Sequence, residues 1–153
     1  MGSKYMIPYI NACIRAFAKR FKLSVQCAFE YLCNFKGILF LVEFYETEHL
    51  LSIEDAVDDL IVCCQNNGGH WHRDISKDKE ISNIHKAQVQ RDFLVSHIVD
   101  RMTEYLVMDY NMEVTDALKI VYQSKVYKQL IDEDGELYIQ SPSYVYELLK
   151  QEM

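Results

Sequence analysis

The chain has 153 residues, half of them apolar, and only five glycines and two prolines interrupt it. A chain of this size and composition can bury a core, and the scarcity of chain breakers favours helices over a β-protein with many turns. The formal charge of −7 at pH 7 disfavours nucleic acid as a partner, because binding to phosphate backbones depends on Lys and Arg.

The expected compartment is the cytoplasm. No apolar run approaches the roughly 20 residues needed to span a bilayer, so no membrane association is expected. The first residues lead into Pro8 and then basic side chains, unlike a signal peptide. The five cysteines are odd in number and all lie in the first half of the chain. A disulfide framework is therefore not expected, and a reducing compartment is the simpler interpretation.

The first predicted helix begins near Pro8, because proline is favoured in the first turn of a helix. Apolar residues then recur at helical spacing and basic residues follow at the C-terminal end. Ser24 is typical of an N-cap and predicts the start of a second helix. Gly37 is expected to end that helix.

The next segment, residues 38–45, is a continuous apolar run, which is compatible with a buried strand or a buried helix. A helix is preferred because no partner strand is evident nearby. Ser52 followed by Asp55 resembles a capping box and predicts a further helix. That helix is expected to end at the Asn-Asn-Gly-Gly run of residues 66–69.

The second half follows a polar, aperiodic stretch, residues 70–85, which is predicted to be a connector. A long helix is expected over about 86–110, a shorter one from Val114, and a turn or two over 126–131. Ser141, placed before a proline, predicts the start of the last helix.

An internal repeat is also indicated, because the first half overlays the second without a gap at a shift of 89 residues. The overlay fails at Leu39 and Phe40, where Lys128 and Gln129 stand, so the second-half segment is expected to be less buried. The matching positions include Ala28 with Ala117, Ser52 with Ser141 and Leu60 with Leu149.

The predicted fold is therefore all-α, with two tandem copies of a small four-helix module packed with pseudo-two-fold symmetry. The first module is assigned to residues 1–69, the connector to 70–85 and the second module to 86–153. A unit of about 60 residues is marginally stable alone, which favours packing of one copy on the other.

No catalytic site, metal site or cofactor is predicted. A Cys/His enzyme would need Cys33 or Cys27 within reach of His49, and nothing in the spacing requires that. The set Cys63, Cys64, His70 and His72 contains zinc-binding residue types, but its spacing is irregular.

Two groups of side chains remain as candidates for recognising a partner. One is a carboxylate cluster with a neighbouring histidine, and the other is a set of tyrosines, a residue type favoured at protein interfaces. The alternative is that the carboxylates only form a solvated helix face and the tyrosines belong to a half-buried core. The candidate partner-binding residues are Glu46, Glu48, His49, Asp55, Asp58, Asp59, Tyr138, Tyr144 and Tyr146.

Several segments resemble an uncharacterised bacterial family of small helical proteins and a companion segment often seen with it. Members usually carry Thr after the histidine, where this chain has Leu50, and this departure weakens any role assigned to His49. The segments that carry the resemblance are residues 40–45, 48–49, 52–60 and 66–69, then 137–138, 141–142 and 144–150.

Genes of this family often lie beside genes for proteins similar to ADP-ribosyltransferases. The resemblance therefore implies a non-catalytic, antitoxin-like or regulatory partner of such an enzyme, and the acidic charge suits a basic protein partner. A small enzyme using a Cys/His pair is one alternative. Another is a transcriptional regulator of its own operon, which the charge disfavours.

Overall fold

The structure is a computed structural model, and it describes residues 3–69, 86–132 and 134–153. All regular elements within these ranges are helical, as predicted. The chain divides into two compact units, Met1–Glu80 and Ile81–Met153. The predicted connector, residues 70–85, lies outside the described residues.

The first unit contains a long helix followed by four shorter ones. Helix α1 packs against α2, α3 and α5, while α3 also packs against α2 and α5. Apolar side chains from these helices meet in a core that includes Phe17, Leu32 and Leu60, all of them buried. The helices are α1 (Ser3–Phe21), α2 (Val25–Asn34), α3 (Gly37–Glu43), α4 (Tyr45–Glu48) and α5 (Ile53–Asn66).

The second unit repeats this pattern of packing. Helix α6 packs against α7, α8 and α9, and α8 also packs against α7 and α9. Its buried core includes Leu106, Val121 and Leu149. The helices are α6 (Lys86–Tyr110), α7 (Val114–Gln123), α8 (Lys125–Ile131) and α9 (Pro142–Glu152), with a 3₁₀ turn at Leu137–Ile139.

Serine caps fix most of the short helices. The predicted starts after Ser24, Ser52 and Ser141 are confirmed, and each serine Oγ accepts a hydrogen bond from a backbone N–H three residues later. Ser124 caps α8 in the same way, a cap that the sequence analysis missed. Glu113, which precedes α7, makes no such hydrogen bond.

The start of α1 corrects the sequence prediction, because the helix begins at Ser3 and Pro8 lies inside it. Ile7 and Ile10 on either side of the proline are fully buried. Their burial favours a helix that continues through Pro8, although proline removes one backbone hydrogen bond.

The apolar run at residues 38–45 is helical, as predicted, and divides into α3 and the single turn α4. The expected lower burial of the corresponding second-half segment is confirmed, since Phe40 and Val42 are half-buried whereas Gln129 and Ile131 are exposed. The inward positions agree, because Tyr127 and Leu130 in α8 are buried, as their counterparts in α3 are.

Candidate functional site

The nine candidate residues fall into two groups that belong to different units. Six lie in the first unit, on α4, at its C-terminal end and on α5, and three lie in the second unit on the 3₁₀ turn and α9. Their exposure differs widely. Glu46, His49, Asp55, Asp58 and Tyr144 are exposed, Asp59 and Tyr138 are half-buried, and Glu48 and Tyr146 are buried.

The outward carboxylates of α5 have local partners. Arg20 of α1 donates a hydrogen bond from Nη1 to Asp58 Oδ1 at 2.7 Å, and its Nη2 donates to the backbone oxygen of Glu54 at 3.4 Å. Asp55 lies in the first turn of α5, where a carboxylate suits the helix dipole. These two acids therefore help to attach and start α5.

His49 belongs to a series of aromatic rings that connects α4 to α1. Its Nδ1 donates a hydrogen bond to the backbone oxygen of Tyr45 at 2.6 Å, and its ring stacks on that of Tyr45 with centroids 4.6 Å apart. Tyr45 in turn meets the ring of Tyr9 edge-on at 5.5 Å. The described contacts of His49 thus orient its ring on the surface of α4.

Glu48 is the least expected member of the group, because it is only 6% exposed and carboxyl groups are rarely buried without a partner. Its Oε1 is buried and has no hydrogen-bond partner in the described part of the chain. Burial, a hydrogen bond with Asp59 and the charge of Asp59 raise the pKa of Glu48 to about 7. Glu48 is therefore largely a neutral acid below neutral pH.

Two groups on α1 extend this buried polar cluster. The hydroxyl of Tyr9 is also buried and has no hydrogen-bond partner among the described residues. Burial raises the pKa of Tyr9 well above its usual range, and Cys13 and Glu48 add to the effect. Burial likewise raises the pKa of the Cys13 thiol to about 11. We call Tyr9, Cys13, Glu48 and Asp59 the Glu48 cluster.

Other thiols of the first unit are similarly protonated. Burial raises the pKa of Cys64 to about 12, and the neighbouring Cys63 adds to it. Burial also raises the pKa of Cys63 itself, whose Sγ lies 3.7 Å from the backbone oxygen of Lys36. A thiol with a raised pKa is a poor nucleophile at neutral pH.

The tyrosines of the second unit are mainly structural. Tyr146 is 5% exposed, and its hydroxyl donates a hydrogen bond to Asp109 Oδ2 at 2.7 Å. The guanidinium of Arg91 lies 4.7 Å from the ring centre of Tyr138. Tyr144 alone among the three is exposed, at 51%, so the predicted tyrosine surface is limited to that side chain and part of Tyr138.

An apolar surface around α4 was not predicted from the sequence. Leu50 is 77% exposed and Phe44 50% exposed, although the exposed surface of a soluble protein rarely gathers large apolar side chains without a use. Two signals were present in the sequence: Leu50 stands where members of the family that the chain resembles usually have Thr, and the expected 89-residue overlay fails at Leu39. We define the α4 surface as Leu39, Phe44, Glu46, His49, Leu50 and Leu51.

Within the ranges 3–69, 86–132 and 134–153, no group of three or more His, Cys, Asp or Glu side chains is arranged to hold a metal ion. His70 and His72 of the irregular zinc set lie outside the described residues. In the same ranges no single helix has the length and apolar character to cross a membrane, and α2 with α3 meets that test only as a pair bent by 77°.

Comparison with known proteins finds a family match within the first unit. No curated protein and no solved structure matches the chain. Residues 9–67 match the model of a family described as a protein of unknown function (DUF3791). This segment contains the α4 surface and the whole Glu48 cluster, so the part of the chain that carries the candidate site is similar to an uncharacterised protein family.

Proposed function

We propose that this protein is a non-catalytic protein-binding module that contacts its partner through the α4 surface. The observation that carries the proposal is the exposure of Phe44 and Leu50 within the segment that matches the family. Aromatic and aliphatic side chains of this kind form the central contacts of protein interfaces.

Charge favours a basic partner. Glu43 and Glu46 are exposed beside the apolar side chains of the α4 surface, and the whole chain carries a formal charge of −7. Acidic groups around an apolar centre speed association with a basic protein and discriminate against acidic ones. They also disfavour nucleic acid, so regulation of an operon through DNA binding is not the preferred function.

The proposed partner is an enzyme similar to ADP-ribosyltransferases, and the proposed role is that of its cytoplasmic antitoxin or regulator. This choice rests on the family resemblance and on chemistry. An enzyme that binds an anionic dinucleotide needs a basic pocket, and an acidic module can cover such a pocket. Tyr144 in the second unit offers an additional exposed contact.

A small enzyme using a Cys/His pair is the second candidate, and three of the five free thiols of the first unit are poorly suited to it. The pKa values of Cys13, Cys63 and Cys64 are all raised, chiefly by burial, which opposes thiolate chemistry. The His49 ring donates its Nδ1 proton to a backbone oxygen. Cys27 is exposed and is the thiol to modify when this alternative is tested.

We further propose that the two units arose by duplication. Supporting this, α2 and α7 have the same bounds at a shift of 89 residues, and α5 and α9 begin at the same position. The helices also pack in the same pairs within each unit. An experimental structure in which the two halves superpose helix for helix at this shift would support duplication, and a different helix order would refute it.

The binding proposal is tested by co-expression with the product of the neighbouring gene. The wild-type protein is expected to co-purify with that product and to restore growth if the product is toxic. Leu50→Asp should abolish both effects, because it places a charge among the exposed apolar side chains of the α4 surface. Met108→Asp is the matched control, since Met108 is 74% exposed on α6 of the second unit.

Circular dichroism should show unchanged helix content in both variants, so that loss of binding is not confused with loss of folding. No complex with the wild-type protein, together with no rescue of growth, would refute the partner. Equal loss in Leu50→Asp and Met108→Asp would refute the α4 surface as the contact. An activity that is lost when Cys27 is alkylated would favour the enzyme instead.

A further inference from the structure

The Glu48 cluster is a polar group inside the first unit that the proposed binding surface does not use directly. Glu48 ends α4 and is buried, with its Oε1 unpaired among the described residues, and the carboxyl of Asp59 on α5 contributes to its raised pKa. From the opposite side, α1 contributes Tyr9 and Cys13, which also interact with Glu48. The cluster therefore joins three helices at the base of the α4 surface.

The charges around Glu48 do not compensate its ionisation. Its neighbours on α1 are the Tyr9 hydroxyl and the Cys13 thiol, its neighbour on α5 is the Asp59 carboxyl, and Tyr45 and His49 lie on its own side. Arg15 acts on Cys13. Asp59 repels a second negative charge, and a buried carboxylate without a cation is strongly unfavourable.

Helix α4 is short and is held by a few tertiary contacts, which include its packing on α3. It has only four residues, and its inward side chains are Tyr45, in contact with the ring of Tyr9, and Glu48. A single helical turn has no stability of its own and depends on such tertiary contacts. Rotation of Glu48 into solvent would relieve the buried charge, and it would move α4 and the side chains that flank it.

The second unit offers a comparison at the corresponding positions. At a shift of 89 residues, Leu137 and Leu148 stand in the places of Glu48 and Asp59, and Ile98 stands in the place of Tyr9. If the units are copies, the second unit lacks this pair of acids at the matching positions, where Leu137 begins a 3₁₀ turn. Among the described residues, Glu48 is the acidic side chain that is buried.

We propose that Glu48 and Asp59 form a proton-linked latch, in which neutral Glu48 donates a hydrogen bond to Asp59 and holds α4 against α1 and α5, whereas ionised Glu48 releases it. The latch does not require a binding partner. Its use as a regulator of partner binding rests on the proposed function, in which the α4 surface is the contact.

The sign of the pH effect follows from the raised pKa. In the open form Glu48 titrates near its ordinary value of 4.5, and in the closed form near 7. Between these values the open form loses its proton first, so opening becomes easier as pH rises and levels off above about 7. Acidification from pH 7 towards pH 5 should therefore tighten α4.

The test is nuclear magnetic resonance on the full chain, with amide exchange expressed as protection factors so that the intrinsic pH dependence is removed. Protection of the α4 amides is expected to fall by roughly tenfold per pH unit between about pH 5 and 7, and then to remain constant. The Glu48 carboxyl carbon should titrate with a midpoint near 7. Amides around Tyr146 in the second unit should not follow this titration.

His49 also lies on this surface, so variants must separate its contribution from that of Glu48. The pH dependence of α4 should persist in His49→Gln and disappear in Glu48→Gln. Its loss in His49→Gln with persistence in Glu48→Gln would overturn the latch. If Glu48→Gln does not fold, the carboxyl titration of the wild-type protein decides, and a midpoint near 4.5 overturns the proposal.

The consequence for binding is measured separately by the affinity for the proposed partner at pH 6 and pH 7.5. A titrating Glu48 with no pH effect on affinity would refute the regulatory role and leave the latch in place. Failure to find any complex would refute the proposed function. It would not refute the latch, because the Glu48 titration is observed without a partner.

Discussion

Gly37 is expected to be required at the start of α3 because two side chains approach its backbone closely. A Cβ added there would lie 2.7 Å from Leu32 Cδ2 and 3.3 Å from Cys64 Sγ, whereas carbon atoms in contact are normally about 3.5–4.0 Å apart. Leu32 and Cys64 are both buried, so neither can move without disturbing the core. The same added atom would lie 3.2 Å from Leu32 Cβ, which a change of rotamer leaves in place.

Gly37→Ala should therefore destabilise the first unit by roughly 1–2 kcal/mol. Overpacking a core costs about 1–3 kcal/mol, and alanine recovers up to about 1 kcal/mol over glycine inside a helix. Urea unfolding followed by circular dichroism measures the difference. A neutral or stabilising effect would contradict the close approach seen in the structure.

A double variant separates overpacking from any backbone effect. In a Leu32→Ala background, which itself opens a cavity, Gly37→Ala should cost less by about 1 kcal/mol or even stabilise, because residues in contact are not additive. Gly68→Ala is the control: Gly68 has φ +94° and no neighbour within 4 Å of an added Cβ. Its cost comes from the backbone, so Leu32→Ala should not change it.

Five further substitutions are expected to lower stability, all measured by urea unfolding. Leu60→Ala and Leu149→Ala remove fully buried side chains and should each cost roughly 2–5 kcal/mol; a cost below 1 kcal/mol in either would contradict its place in the core. Ser52→Ala and Ser141→Ala remove N-caps and should each cost about 1 kcal/mol, with glycine restoring part of it. Glu152→Ala removes a carboxylate that accepts from two backbone N–H groups at the start of α8, at 2.9 and 2.8 Å, and should cost about 1 kcal/mol, whereas a neutral effect would show that water replaces these bonds fully.

Most of the helices could be predicted from the sequence because their signals are local. Ser24, Ser52 and Ser141 each precede an apolar stripe, and a serine at that place satisfies backbone N–H groups of the first turn. The start of α1 could not be found in this way. Pro8 is a local signal for a first turn, but burial of Ile7 depends on helices that are distant in sequence.

The candidate site was harder to predict because burial is not a local property. Glu48 stands in an acidic run with Glu46, and charge alone suggested that both face a partner. The structure places them on opposite sides of one helical turn, with Glu48 buried on the same side as Tyr45. The spacing of three residues between Tyr45 and Glu48 was the available clue, since such residues share a helix face.

The difference between the two units indicates why a buried acid stands in only one of them. If the units are copies, the positions corresponding to the Glu48 cluster hold Leu137, Leu148 and Ile98. A buried carboxyl with an unsatisfied oxygen lowers stability compared with apolar residues. The proposed latch would give this buried acid a use, because Glu48 ends the helix around which the α4 surface lies.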